Sequence, residues 1–307
     1  MYEWYFGLRE KPFSLVPDPR FLFVSETHKL AFTVLRYGLT EQAGFVVLTG
    51  EVGTGKTTLV RRLLEEARDD VAVGLVTTTH GGFGTPLRWA LRAFGVDHRD
   101  KDALEQHDAL LDHLRGFHDT GRRAVLVIDE AQNLNEDALE ELRIISNVNS
   151  GADQLLQLIL VGQPELRDTL ERPTLRQFVQ RVWTDHNLEV LQPAETRAMI
   201  HHRLEVAGGA PALFDDEAAA AVHFFTGGVP RLVNALAEMA LVHSYAEDHE
   251  RVTFDTVVGV VEERQRGRGL SAFTEIPLGA PRGVLRCRIL GDAGPEATAS
   301  PAARAAR

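Results

Sequence analysis

Residues Gly44–Ala67, GFVVLTGEVGTGKTTLVRRLLEEA, decide how the rest of the chain is read. Phe45 to Thr49 is a short apolar run, as a strand buried on both faces requires. Gly50 and Gly55 then flank four residues and precede Lys56-Thr57, which is the phosphate-binding P-loop pattern. Glycines let the backbone turn tightly and aim several N–H groups at one anion. The candidate phosphate contacts are therefore Gly50, Gly53, Thr54, Gly55, Lys56, Thr57 and Thr58. A lysine at position 56 reaches β- and γ-phosphates, and a hydroxyl at Thr57 is a ligand for Mg²⁺. The helix that begins here adds its positive N-terminal end. Strand, glycine loop, Lys-Thr and amphipathic helix follow in the order that a nucleoside triphosphate site needs.

A chain of 307 residues, 44% hydrophobic and 25% charged, has room for about two globular domains. No apolar run approaches the ~20 residues of a membrane span. The opening MYEWYFGLREKPF lacks the basic and apolar regions of a signal peptide, and Cys287 is the single cysteine, so a cytoplasmic protein without an internal disulfide is expected. The net charge of −11 argues against nucleic-acid binding by the whole surface, though not by a local groove in an assembled ring. Twelve histidines, among them His201-His202 and His107/His113/His118, form no metal-ligand spacing backed by cysteines or carboxylates.

Residues 1–43 precede the P-loop. Aromatic anchors alternate with prolines through Pro19, and Ser25 to Gly38 reads as a helix with Ser25 as N-cap and Leu30, Val34 and Leu35 on one face. Strands are expected at 71–76, 122–128, 155–161 and 183–191, with a helix directly after the P-loop and others at 85–94, 102–118 and 136–147 between them. That alternation predicts a parallel sheet covered on both faces by right-handed crossovers. From residue 194 the pattern is helical only, at 194–206, 215–225, 230–246 and 254–264, as in a small second domain. Residues 266–307 are rich in Gly, Pro, Ala and Arg and are expected to be disordered. Their seven arginines face Glu275, Asp292 and Glu296, a net of +4, so charge is polarised along the chain.

Asp129-Glu130, at the carboxyl end of an apolar strand after a P-loop, has the Walker B arrangement. Asp129 would hold Mg²⁺ beside Thr57, and Glu130 would orient or deprotonate the attacking water. The adjacent Ala131-Gln132 matches helicase spelling, but the Ser-Ala-Thr element of those helicases is missing from the chain. Gln163, at the tip of the next strand, either hydrogen-bonds the γ-phosphate or the water, or caps its own loop. Arg181, or less favourably Arg176, is placed to enter a neighbouring subunit's site, the alternative being a solvated surface cation. Arg231 heads a helix of the second domain, where it could close over the γ-phosphate.

With these motifs the sequence resembles the AAA+ superfamily over about residues 1–265, with Gln163 as sensor 1, Arg181 as arginine finger and Arg231 as sensor 2. Within that superfamily it closely resembles the ExeA family, general secretion pathway protein A. The segments that carry this include Phe6-Gly-Leu8, Lys11-Pro-Phe13, Pro17-Asp-Pro19, Thr49–Thr58, Ile128-Asp-Glu-Ala-Gln132, Gly162-Gln-Pro-Glu-Leu166 and Gly227-Gly-Val-Pro-Arg231. The module is also similar to transposition ATPases of the TniB/TnsC type, which assemble on DNA. ExeA proteins continue through a membrane span into a periplasmic peptidoglycan-binding region, whereas this sequence stops after a short tail, so a direct part in secretin assembly is not expected. The resemblance implies an αβα P-loop domain at 44–192, an N-terminal segment at 1–43 packed on it, a helical lid at 193–265 and a tail at 266–307. It further implies ATP and Mg²⁺ as ligands, action as a homo-oligomeric ring or filament, and ATP hydrolysis that remodels an unidentified protein client. The DNA-assembled platform is the alternative.

Overall fold

The computed structural model describes residues 1–16, 18–41, 44–66, 70–77, 84–150, 153–267 and 272–291. The chain forms two compact units, Val24–Glu189 and Met1–Phe23 together with the residues from Val190 onward.

The first unit is an α/β layer structure. Its helices are α1 (Glu26–Thr40), α2 (Lys56–Glu66), α3 (Pro86–Ala93), α4 (Ala103–Asp119), α5 (Glu136–Ile145), α6 (Glu165–Leu170) and α7 (Arg176–Val179). Its strands are β1 (Phe45–Gly50), β2 (Val71–Val76), β3 (Arg123–Ile128), the short antiparallel pair β4 (Asn149–Ser150) and β5 (Asp153–Gln154), then β6 (Leu156–Gly162) and β7 (Val182–Leu188). Five strands form one sheet in the order β2-β3-β6-β1-β7, with every pairing parallel. This is the P-loop αβα arrangement that the strand–helix alternation predicts.

Alternation along the strands divides the apolar residues into two cores. Phe45 and Val47, Leu126 and Ile128, and Leu158 and Leu160 face one side, with Trp89, Leu114, Leu142 and Phe178. Val46 and Leu48, Val125 and Val127, and Ile159 and Val161 face the other, with Leu35, Leu59 and Leu63. Burial on both faces explains why these strands read as unbroken apolar runs. Strand β7, at the edge, carries Thr184, Asp185, His186 and Asn187 instead, and exposes Trp183, which stacks on Tyr37.

Helix α1 is capped by Ser25 as expected, but its buried stripe is His28, Ala31, Leu35, Gly38 and Leu39. Leu30, assigned to the apolar face from sequence, is exposed. The last carbonyls of α1 are satisfied from the sheet, Leu39 O by the Arg123 guanidinium at 2.6 Å and Gly38 O by the buried Gln157 amide at 2.9 Å.

The second unit is helical: α8 (Pro193–Val206), α9 (Asp216–Thr226), α10 (Pro230–Ala246), α11 (Phe254–Arg266) and α12 (Arg282–Leu290). Two boundaries differ from expectation. Residues 1–43 do not act as one segment, because Tyr2, Leu8, Phe13 and Phe21 are buried in the core of this helical unit whereas α1 belongs with the sheet. Arg203 fixes the N-terminal stretch by donating to Pro12 O at 2.9 Å, and burial lowers its pKa to about 10, with Asp18 acting in the opposite direction. The tail is ordered over residues 272–291, where Phe273, Ile276 and Leu285 are buried and Thr274 N–H donates to Phe225 O. Arginines of α12 pair with acids of the same unit: Arg282 with Glu262 at 3.1 Å, and Arg286 with Glu217. Three scattered apolar anchors among glycines, prolines and arginines leave little periodic signal, which is why composition suggests disorder. Residues 292–307 lie outside the described residues, as does the stretch from Thr78 to Phe83 after β2. Among the described residues, no helix is long and apolar enough to cross a membrane.

Phe178 is fully buried and stacks on Phe45 with ring centroids 4.4 Å apart. Phe178→Ala is expected to destabilise the sheet-containing unit by about 3–5 kcal/mol, measured as a lowered denaturant midpoint.

Candidate functional site

All five strands of the main sheet run in one direction, so their carboxyl ends share one edge. The P-loop leaves that edge at Gly50 with φ +154°, and a Cβ there would lie 2.6 Å from Leu188 O. Gly53 and Gly55 also have positive φ, +85° and +97°. Side chains at these places would fill or distort the loop, so the cradle is a backbone surface. Thr54 is fully buried and its hydroxyl donates to Glu51 O at 2.9 Å. The Lys56 ammonium donates to Gly50 O at 2.6 Å and to Glu51 O at 2.8 Å. Lys56 and Thr57 open α2, followed by Thr58. Burial lowers the Lys56 pKa, opposed by the carboxylates of Glu130, Asp129, Glu51 and Glu165.

The second motif meets the first. Strand β3 ends at Ile128, and the Thr57 hydroxyl donates to Asp129 Oδ2 at 2.8 Å. Asp129 is buried, and its other oxygen accepts from the Glu130 N–H at 3.0 Å. A hydroxyl beside a carboxylate is an all-oxygen donor set that suits a hard divalent cation such as Mg²⁺. Glu130 occupies the left-handed region, φ +55°, a conformation that costs a non-glycine residue about 1–2 kcal/mol. Its carboxylate accepts from Gln132 Nε2 at 2.6 Å. Gln132 Oε1 in turn accepts from the Gln163 N–H at 3.0 Å, which ties the end of β6 to the acidic pair. Gln163 thus lies beside Glu130 through one intervening amide.

Arg181 is not brought to this edge. It immediately precedes β7, and its carbonyl accepts from Phe45 N at the amino end of β1. Five strand residues at about 3.3 Å each separate that end from Gly50, roughly 17 Å. Its guanidinium donates to Asn147 Oδ1 at 2.6 Å. Arg176 is exposed at the start of α7. Arg231 is exposed in the first turn of α10, in the helical unit.

Two residues to which the sequence reading gave no role touch the site. Gln132 is one. The other is His28 of α1, buried, with Nε2 3.0 Å from Thr54 O.

A family model described as an AAA domain matches residues 39–170. Residues 39–170 thus form an AAA domain, within a P-loop αβα fold. Over 254 residues, 82% of the chain, it is 38% identical to general secretion pathway protein A of Aeromonas hydrophila, and those residues cover 46% of that protein. The chain thus spans about half the length of this relative. Solved structures of similar fold include the ORC2 protein of Aeropyrum pernix in ADPNP–ADP complexes, with TM-score 0.62 and 17% identity over 85% of this chain and 75% of that one. Cdc6p from Pyrobaculum aerophilum gives 0.61 and 18% over 83% and 75%. A RuvB mutant from Thermotoga maritima gives 0.51 and 19% over 78% and 70%. At these identities the likeness speaks for the fold alone.

Because the folded pKa of Lys56 lies below the ordinary lysine value, burying its charge opposes folding at neutral pH. That penalty is full below the folded pKa and disappears as pH rises past 10.5. Lys56→Met is therefore expected to match or exceed the parent's melting temperature at pH 7 without nucleotide, with the advantage shrinking at alkaline pH. Thermal melts across pH check this.

Proposed function

We propose that this protein binds ATP with Mg²⁺ at the P-loop edge, hydrolyses it, and works as an oligomeric switch. The observation that carries the reading is the 2.8 Å contact between Thr57 and Asp129, which joins two motifs 72 residues apart into one oxygen-rich site. The glycine cradle and Thr54, Lys56, Thr57 and Thr58 are the proposed phosphate-binding residues, and Thr57 and Asp129 the proposed Mg²⁺ ligands. When bound, ATP supplies the phosphoanhydride bond that is broken and Mg²⁺ the charge neutralisation that favours its breaking.

Each residue then has a task that its chemistry suits. Lys56, already half-buried, exchanges its two carbonyl partners for phosphate oxygens. Glu130 holds and deprotonates the attacking water, its carboxylate oriented by Gln132. Gln163 orients the same water or the terminal phosphate. Arg181 stands at the opposite end of the sheet from its own P-loop, so the site it serves is a neighbour's. That geometry supports assembly of copies, with Arg181 acting in trans on transition-state charge. Arg231 is proposed as a further nucleotide contact on its motif alone. The relative's name places that protein in a secretion pathway, and nucleotide-driven remodelling of a partner complex in the cytoplasm is the corresponding proposal here.

Glu130→Gln should retain ATP while turnover falls by about 10²–10⁴-fold. Near-parental turnover removes Glu130 from this role. Mixing Arg181→Ala with Lys56→Met should restore turnover that neither shows alone, since Lys56→Met subunits supply Arg181 to intact P-loops. Oligomers that form but stay inactive overturn the trans assignment.

A further inference from the structure

The P-loop contains a peptide plane that its own sterics do not orient. Thr54 and Gly55 share a trans peptide, and Gly55 sits at φ +97°, where glycine crosses between conformers at little cost. In a trans peptide the C=O and N–H point to opposite sides. Whichever way the Thr54 carbonyl turns, the Gly55 N–H therefore faces the other way. One orientation presents a donor to an anion in the cradle, and the flipped one presents a carbonyl that repels it.

An element outside the motif makes that choice. His28, on α1, is 2% exposed, with Nε2 3.0 Å from Thr54 O and Nδ1 2.6 Å from Ser25 Oγ. A carbonyl only accepts, so Nε2 carries the proton and donates. Ser25, also 2% exposed, accepts from the His28 backbone N–H at 3.3 Å, and the Thr27 hydroxyl lies 3.0 Å from Ser25 Oγ. Its own O–H then donates to Nδ1, and the N-cap of α1 fixes the imidazole tautomer. The ring also closes on the loop, since a Cβ at Gly55 would lie 3.3 Å from His28 Nε2.

We propose that His28 is a positioning residue of the phosphate cradle: its Nε2–H pins the Thr54 carbonyl so that the Gly55 N–H is held toward the bound phosphates. The relay Ser25 Oγ–H to Nδ1, then Nε2–H to Thr54 O, makes the fold of α1 part of the anion site. It rests on the nucleotide-binding reading above and adds a residue that no motif supplies.

Gln and Asn separate the two ring nitrogens. His28→Gln places an amide N–H near the Nε2 position, whereas His28→Asn reaches only as far as Nδ1. With a fluorescent ATP analogue and ATP as competitor, His28→Asn is expected to weaken binding about tenfold, the equivalent of one hydrogen bond of about 1.4 kcal/mol. His28→Gln should stay within about threefold of the parent. Equal losses in the two variants, or none in His28→Asn, overturn the proposal.

Two readouts need no nucleotide. Relaxation dispersion at the Gly55 amide should appear in His28→Asn and be absent from the parent and His28→Gln. The parent's imidazole ¹⁵N shifts should report Nε2–H with Nδ1 unprotonated. A proton on Nδ1 alone overturns the proposal even if both variants fail to fold. A parent that binds no ATP but passes these two readouts overturns the nucleotide reading and leaves the His28 geometry standing.

Discussion

The hydrogen bond from the Thr57 hydroxyl to the Asp129 carboxylate depends on more of the structure than any other contact in the site. It requires β1 and β3 to end at the same edge, which only a parallel sheet with crossover helices provides. It also requires β6 between them, since the order is β3-β6-β1. That inserted strand brings Gln163 to the same edge as the P-loop and the acidic pair. The apolar runs in β1, β3 and β6 build two cores, and these cores set where three polar strand ends meet.

The same edge concentrates the conformations and charges that oppose folding. Gly50, Gly53 and Gly55 hold positive φ, Glu130 is left-handed, and the half-buried Lys56 ammonium is held against carbonyl oxygens. Each is tolerable because the strands beneath are buried on both faces and over-determine the backbone. Positive-φ glycines and a half-buried ammonium next to a rigid sheet suit an anion, since a polyphosphate would satisfy N–H groups and ammonium together. The helical unit also holds a half-buried charge, Arg203, and a left-handed residue, Asp248 at φ +55°. Its features are anchoring ones: aromatic side chains from residues 1–23 sunk into a helical core, and α12 arginines matched to Glu262, Asp255 and Glu217.

Local patterns alone determined a great deal. Continuous apolar runs of strand length, punctuated by Gly50 and by Asp129-Glu130, identify the parallel sheet and its active edge, because burial on both faces and phosphate binding each permit few residue types. Ser25 as a helix cap and Gly227-Gly-Val-Pro230 as a helix boundary are legible for the same reason: their chemistry is local. The buried stripe of α1 was not, because Leu30 and Leu35 look alike until the sheet chooses which faces it. Nor was the order of residues 272–291, whose few apolar anchors acquire meaning only against the helices they meet.

Only the tertiary structure decided which polar groups touch across long separations. It placed Gln132 between Glu130 and Gln163, set His28 against Thr54, and put Arg181 at the far end of the sheet from its own P-loop. Sequence distance carries no information about such contacts. Strand order and helix rotation fix them, and both follow from how the two apolar faces of the sheet are covered.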